Sequence, residues 1–268
     1  MTPQWSMASR SRIVWDMVLV PAGEFPMGID KAEVQYLCRE YPGYGPERYD
    51  AERPRRAVWL DEYRIDRFPV TNRQYAPAVA ANVVPEPILW SHPRWSHPDA
   101  PVIGVGWYEA TRVAEWWGLC LPTEAQWERA ATWDHHTRRK LRYPWGDEWD
   151  PSRTLNAEEL LGRRISDRYD WLEAFWRSGV GIARGRIEPV GLRDDVAPCG
   201  VRMMCGHVWE WTRDDFGGVG KATAKAVRGG SWADDRGSCR GTYRTWTEPS
   251  MWRYGPTDIG FRCVWEPS

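Results

Sequence analysis

The pattern of this chain changes once, near residue 140, and that change limits the folds open to it more than any single motif does. Before it, the segments carry helix signals. Thr71 and Gln74 in "VTNRQYAPAVAAN" match a capping box, in which each side chain satisfies a backbone N–H that the first helical turn leaves open. Thr123 and Gln126 in "LPTEAQWERAATW" repeat that spacing, with Trp127, Ala130 and Ala131 on one face. Between them, "PVIGVGWYEATRVAEWWGL" sets Val113, Trp116 and Trp117 at helical spacing. Pro77 falls late enough to kink its helix rather than forbid it. Beyond the change, short apolar pieces alternate with Gly, Pro, Asp and Asn, and "DWLEAFWRSG" is the one candidate for further helix. "HVWEW", "AVRGGSW" and "IGFRCVW" predict short strands. Helices early and strands late, joined by long loops, predict an α+β fold.

At the front, "VWDMVLVPAGEFPMG" predicts two short strands about a Pro-Ala-Gly turn, and "AVWLDEYRIDRFPV" alternates in strand fashion. Residues 31–56 are polar and rich in Gly, Pro and Tyr, which predicts an irregular surface loop. The chain has 20 Trp and 11 Tyr against 5 Phe. An indole has a large apolar body and one N–H donor, so this usage fits a loop-rich domain whose indoles bond backbone carbonyls; it fits an aromatic binding face equally well. No shift in composition marks a linker, so a single domain over residues 1–268 is expected, with its core at about 14–264.

A net charge of −1, with no long block of one sign, excludes the electrostatic signature of a nucleic-acid binder and predicts no attachment to an anionic membrane. No apolar stretch approaches the ~20 residues of a membrane-spanning helix, and Asp16 interrupts the N-terminal region before a secretory apolar run develops. The expectation is a soluble chain, cytoplasmic or exported without a signal peptide. Cys38, Cys120, Cys199, Cys205, Cys239 and Cys263 include no C-x-x-C pair and no Cys/His cluster at zinc spacing. Buried free thiols are expected, with a local Cys199–Cys205 disulfide as the alternative.

Nine segments in order resemble the formylglycine-generating-enzyme family: "VPAGEFPMG", "VTNRQY", "HPDAPVIGVGWYEA", "LPTEAQWERAA", "YPWGDEW", "PVG", "CGHVWEWTRD", "RGGSW" and "IGFRCV". They span nearly the whole chain. The resemblance implies a C-type-lectin-like fold with two main helices, short antiparallel strands and long ordered loops. Oxidases of that family hold copper with two cysteines just after the Gly-Gly-Ser-aromatic turn, since a thiolate pair suits Cu(I). At those positions this chain has Asp234 and Cys239. One thiolate beside a carboxylate is a poor Cu(I) site, so copper is not expected and catalysis is not expected; Cys239 is the fallback catalytic residue. A second branch of the family, the sulfoxide synthases, adds an iron domain with a histidine triad. His92 and His97 lie in Pro-flanked turns, and the expectation is a chain without that domain. The resemblance also implies a calcium site through Gly206, Val208 and Glu210, weakened because Met203 stands where an oxygen ligand is usual. Calcium-dependent sugar binding is not expected, because Glu248-Pro249-Ser250 lacks the amide that sugar-binding lectins carry there.

The tail, residues 228–264, resembles the variable proteins of diversity-generating retroelements, in which a fixed frame surrounds exposed positions rewritten at the gene. The frame expected here is Gly229, Gly230, Ser231, Trp232, Arg244, Pro249, Arg253 and Ile259 to Arg262. The ligand-binding positions expected between them are Ala233, Asp234, Asp235, Arg236, Ser238, Thr242, Thr245, Trp246, Thr247, Ser250, Met251, Trp252, Tyr254 and Thr257. Trp246, Met251, Trp252 and Tyr254 beside charged residues have the composition of an interface. The function expected is therefore a non-catalytic module with a variable face for a macromolecular ligand, a protein. The alternative is a copper- and oxygen-dependent oxidase with an altered site around Cys239.

Overall fold

A computed structural model describes residues 15–217, 224–250 and 258–267, with the side chain of Ile182 excepted. Strand β1 (Met17–Val20) pairs antiparallel with β4 (Tyr63–Asp66), and β11 (Val264–Trp265) closes the other edge of β4. Val18, Val20, Tyr63, Ile65 and Val264 point from this sheet onto Trp127, Ala130 and Ala131 of α4 (Glu124–Thr132), the face that the spacing predicts. β2 (Gly23–Met27) and β3 (Arg56–Leu60) form a separate ribbon, and β5 (Trp133–Asp134) with β6 (Arg139–Lys140) a short one.

Both capping boxes form. Thr71 caps α2 (Asn72–Ala80) and Thr123 caps α4, each with the reciprocal glutamine bond. Pro77 sits inside α2. α3 (Trp107–Trp116) buries Val113 against α2, with Trp116 and Trp117 packed at the edge of that cluster.

The irregular loop expected over residues 31–56 is a correction. It holds α1 (Lys31–Glu40) and a 3-10 turn at Pro46–Glu52. Asp30 accepts the Glu33 N–H as an N-cap, and Val34 and Leu37 bury one face against Tyr41 and Tyr49. The main helices, those of nine or ten residues, therefore number four among the described residues rather than two.

The main sheet runs β10 (Ile259–Gly260), β7 (Trp209–Asp215), β8 (Lys225–Arg228), β9 (Arg244–Thr247). β7, β8 and β9 are antiparallel neighbours, but β10 pairs parallel with β7, because the chain returns to the far edge of β7 without reversing direction. Short helices α5 (Ala157–Leu161), α6 (Arg168–Trp171) and α7 (Val180–Arg184) wrap Phe175 and Trp232 beside this sheet.

Three arginines of this half are fully buried, each with a carboxylate. Arg262 reaches Glu210 at 2.6 and 2.7 Å, Arg240 reaches Glu52 at 2.7 and 2.8 Å, and Arg228 reaches Glu128 at 2.6 Å. Lys140 adds a second cation on Glu128 at 2.6 Å. Among the described residues no helix is long and apolar enough to cross a membrane.

Candidate functional site

Gly229 and Gly230 make the turn that positions the site. Both have positive φ, +99° and +72°, and a Cβ on Gly230 would stand 2.8 Å from Cys239 Sγ. The turn is tied down on both sides: the Gly206 N–H donates to the Gly229 carbonyl and the Trp232 N–H to the His207 carbonyl. Trp232 is 7% exposed and packs among Trp95, Phe175 and Trp176. Ser231 is fully buried, with its hydroxyl between Asp234 Oδ2 at 2.7 Å and Asp258 Oδ2 at 2.5 Å.

Beyond this turn lies a cleft of about 590 Å³, lined by Asp234, Asp235 and Ser238 together with Tyr44, Arg48 and Trp171. Tyr243 and Thr245 line it from the start of β9. Asp235 is held by Arg48 at 2.9 Å, the Tyr44 hydroxyl at 2.7 Å and the Ser238 N–H at 2.9 Å. Burial raises its pKa, but the Arg48 charge and these hydrogen bonds override that, and the net shift is down. Asp234 goes the other way. Burial and the neighbouring Asp258 carboxyl push its pKa up to about 7, and burial raises Asp258 as well.

The expected ligand-binding positions separate into groups. Ala233, Asp235, Ser238 and Thr242 are buried, which corrects the picture of a broad exposed face. Each has an inward role: the Ala233 carbonyl takes the Trp171 indole N–H, Ser238 accepts from Arg48, and Thr242 donates to Glu52 at 2.6 Å. Arg236 is half-buried and reaches Glu40 at 2.7 Å. Asp234, Asp235, Ser238 and Thr245 do come together, in the cleft. Trp246, at 37% exposure, and Thr247 lie along β9, and Ser250 is exposed. Met251, Trp252, Tyr254 and Thr257, with the frame residue Arg253, lie outside the described residues.

Cys239 is fully buried against Tyr143 and Cys205 and is not among the cleft-lining residues given above. Burial and the adjacent Cys205 thiol hold its pKa well above the usual thiol range, the reverse of an activated thiolate. Cys205 therefore partners Cys239, while Cys199 donates to the Ala130 carbonyl. The calcium expectation meets a misfit in the donor set. Both oxygens of Glu210 are taken by the Arg262 guanidinium, and Oε2 also accepts from the Trp127 indole at 2.8 Å. Arg262 binds the Arg202 and Met203 carbonyls too, so a fixed organic cation stands where the carboxylate was expected to serve a metal. Gly206, Val208 and Glu210 do not fit calcium, which requires several free oxygen ligands. Among the described residues no three His, Cys, Asp or Glu side chains are grouped to hold a metal. His92 and His97 each accept a backbone N–H at Nδ1 within turns, as their flanking prolines suggest.

Tyr44, Arg48, Arg168, Trp171, Tyr243 and Asp258 belong to the site but were not among the residues expected from sequence. "YPGYGPERYD" carried a signal for the first two: three tyrosines and an arginine about a Gly-Pro turn suit a cleft wall as well as a loop.

The profile of the sulfatase-modifying factor enzyme 1-like domain matches residues 4–267. Hercynine oxygenase of Mycolicibacterium thermoresistibile is 28% identical over 90% of this chain, which spans only 57% of that relative's length. The formylglycine-generating enzyme of Thermomonospora curvata is 29% identical, with 97% of this chain and 96% of that protein covered. Among solved structures, Treponema denticola variable protein 1 superposes with a TM-score of 0.65 at 15% identity, over 99% of this chain and all of that one. The α+β architecture is that of the formylglycine-generating-enzyme type, with a C-type-lectin-like fold.

Proposed function

This chain belongs to the sulfatase-modifying factor enzyme 1-like domain family, and we propose that within it the chain is a non-catalytic ligand-binding protein whose C-terminal segment lines the binding cleft. One observation carries the reading. Asp234, where the family resemblance implies the first copper thiolate, lines the cleft, held by the Ser231 N–H at 3.0 Å and its hydroxyl at 2.7 Å. The remaining cysteine of the pair, Cys239, is fully buried, and burial with the adjacent Cys205 thiol pushes its pKa well up. A soft metal entering the cleft would meet a hard oxygen donor and aromatic rings. A polypeptide segment would meet Tyr44, Trp171 and Tyr243 beside paired charges, the mixture on which protein interfaces concentrate their affinity.

The ligand we propose is a protein. Diversification is suggested by the resemblance of the tail and by the likeness to the Treponema variable protein. It would act on side chains that reach the cleft or solvent without tying down the turn: Thr245, Trp246, Thr247 and Ser250. Ala233, Ser238 and Thr242 would stay constant, because each is packed or bonded inside. Sequencing the 3′ end of the gene from many isolates tests this. Substitutions concentrated at the open positions, with Ser231, Trp232 and Arg240 unchanged, are the expected result. Uniform, sparse substitution overturns the diversified reading. A Cu(I) titration decides against the oxidase alternative if no stoichiometric uptake occurs; tight uptake lost in Cys239→Ala would restore it.

A further inference from the structure

The serine at the base of the turn has one hydroxyl proton and two carboxyl neighbours. Ser231 Oγ lies 2.7 Å from Asp234 Oδ2 and 2.5 Å from Asp258 Oδ2. Both separations are hydrogen-bond lengths, yet the hydroxyl can donate to only one acceptor at a time. The direction follows from the other bonds. Asp234 Oδ2 also accepts the Ser231 backbone N–H at 3.0 Å, so it is the oxygen that gathers donors. The Ser231 hydroxyl oxygen also accepts the Ala233 N–H at 3.1 Å, leaving one lone pair for Asp258. The second short contact therefore requires a proton on Asp258 Oδ2. Every donor and acceptor of Ser231 is satisfied when the two carboxyls hold one proton between them.

We infer that Asp234, Ser231 and Asp258 form a one-proton lock, which fastens the Gly-Gly-Ser-Trp turn to the strand that follows Asp258 and opens when that proton is lost. The attachments on each side make the lock structural. The Asp258 carbonyl accepts the Trp209 N–H at 2.9 Å at the entry to β10, and the Asp234 carbonyl accepts the Ala157 N–H at 2.9 Å at the start of α5. Deprotonation would leave two buried anions on one hydroxyl, with no guanidinium among their partners in the described residues.

Several ionisable groups face this pair. Asp235 adjoins it, neutralised by Arg48 and bonded by Tyr44. Arg236 and Glu158 of α5 lie 3.9 Å apart behind it. Tyr243 and Arg168 line the same cleft as Asp234, and the Cys239 thiol feels the Asp234 charge. The two aspartates titrate together, so the value of about 7 belongs to the pair and not to Asp234 alone. Folded, the pair keeps a proton that the unfolded chain releases near pH 3.8. Stability therefore falls as pH rises from that value through about 7, and levels off once the folded pair has also ionised.

Glu158 has its own pKa pushed up to about 7 by burial, so the test is a comparison between variants. In Asp258→Asn the amide N–H donates to Ser231 Oγ as the acid O–H does, and no proton is needed. Thermal melts from pH 5 to pH 8 of the native chain, Asp258→Asn and Glu158→Gln should show a steeper fall in Tm for native and Glu158→Gln than for Asp258→Asn. Equal slopes for native and Asp258→Asn overturn the lock. Infrared spectra of the native chain and Asp258→Asn supply a readout that does not depend on stability. Glu158 contributes equally to both spectra, so the expected result is a neutral-carboxyl C=O component in the native-minus-variant difference at pH 6; a difference spectrum without that component overturns the inference.

Discussion

Two sets of buried charges in the same forty residues behave in opposite ways. Arg228, Arg240 and Arg262 are each fully buried against a carboxylate. Asp234 and Asp258 are a like-signed pair with a proton in place of a counter-ion. Guanidinium groups stay charged across any physiological pH, so the first set is indifferent to acidity. The second changes state near neutrality. The difference separates frame from cleft. Permanent charges tie this half to α4, to the 3-10 turn and to β7, and the titrating pair sits at the edge of the cleft, which Asp234 lines.

The largest effect should come from breaking a permanent pair. Arg262→Ala leaves Glu210 buried with, among the described residues, only the Trp127 N–H, and takes a donor from the carbonyls of Asp66, Arg202 and Met203. Chemical denaturation should report a loss of about 3–5 kcal/mol, the usual cost of an orphaned buried charge. Replacing both partners, Arg262→Met with Glu210→Leu, should recover a substantial part of it. A single variant with near-native stability would mean that the charges carry no share in the frame.

Next comes Trp232, which packs against Trp95 on one side and the adjacent Phe175 and Trp176 on another. Trp232→Ala should cost about 3 kcal/mol by the same measurement, from lost contacts and the cavity left behind. A cost under about 1 kcal/mol, the range of ordinary surface sites, would remove Trp232 from the frame.

Why such frame residues stand out in the sequence, while the cleft does not, is a matter of range. The capping boxes at Thr71 and Thr123 close within three residues, so their chemistry is written locally. The Gly-Gly-Ser-Trp turn is similarly local, because its glycines adopt positive φ. The burial of Asp235 and Thr242 depends on partners far away in the chain. Arg48 lies 187 positions from Asp235, and Glu52 lies 190 positions from Thr242. Small and charged residues without periodicity look like an exposed loop until those partners are placed. α1 was hidden for a related reason. Its apolar face consists of Val34 and Leu37 alone, beside a Gly-, Pro- and Tyr-rich stretch that turns out to pack against it. The proton shared by Asp234 and Asp258 was beyond sequence reasoning, since Asp258 precedes a strand whose parallel pairing with β7 brings it to Ser231.

A third prediction tests the border between the two sets. Arg48–Asp235 is a permanent pair inside the cleft, with side-chain exposures of 14% and 8%. Asp235 has a lowered pKa, so its contribution is complete above the ordinary aspartate range and lost as pH falls through the lowered value. Arg48→Met should cost about 2 kcal/mol at pH 7, from charged hydrogen bonds removed in a partly open site. It should also remove this acid-limb dependence. Melts of native and variant between pH 3 and pH 7 should therefore converge as the pH falls. Parallel curves would show that Asp235 does not depend on Arg48 for its charge.

The smallest effect should be at Trp246, and it sharpens the comparison from the exposed side. Trp246 pairs with Ala226 across β8 and β9, yet keeps 37% of its surface open, five times the exposure of Trp232 on the same segment. Its ring is therefore a poor source of stability and a good source of contact area for a partner. Trp246→Ala should change stability by less than about 1 kcal/mol, as surface substitutions do. Fluorescence melts of the native chain and the variant would measure it. A loss near that of Trp232 would place the ring in the frame, and would withdraw β9 from the surface that the proposed ligand meets. A small loss leaves two tryptophans, fourteen residues apart, with opposite duties: one holds the turn that builds the cleft, and the other stands at the surface beside it, open to rewriting.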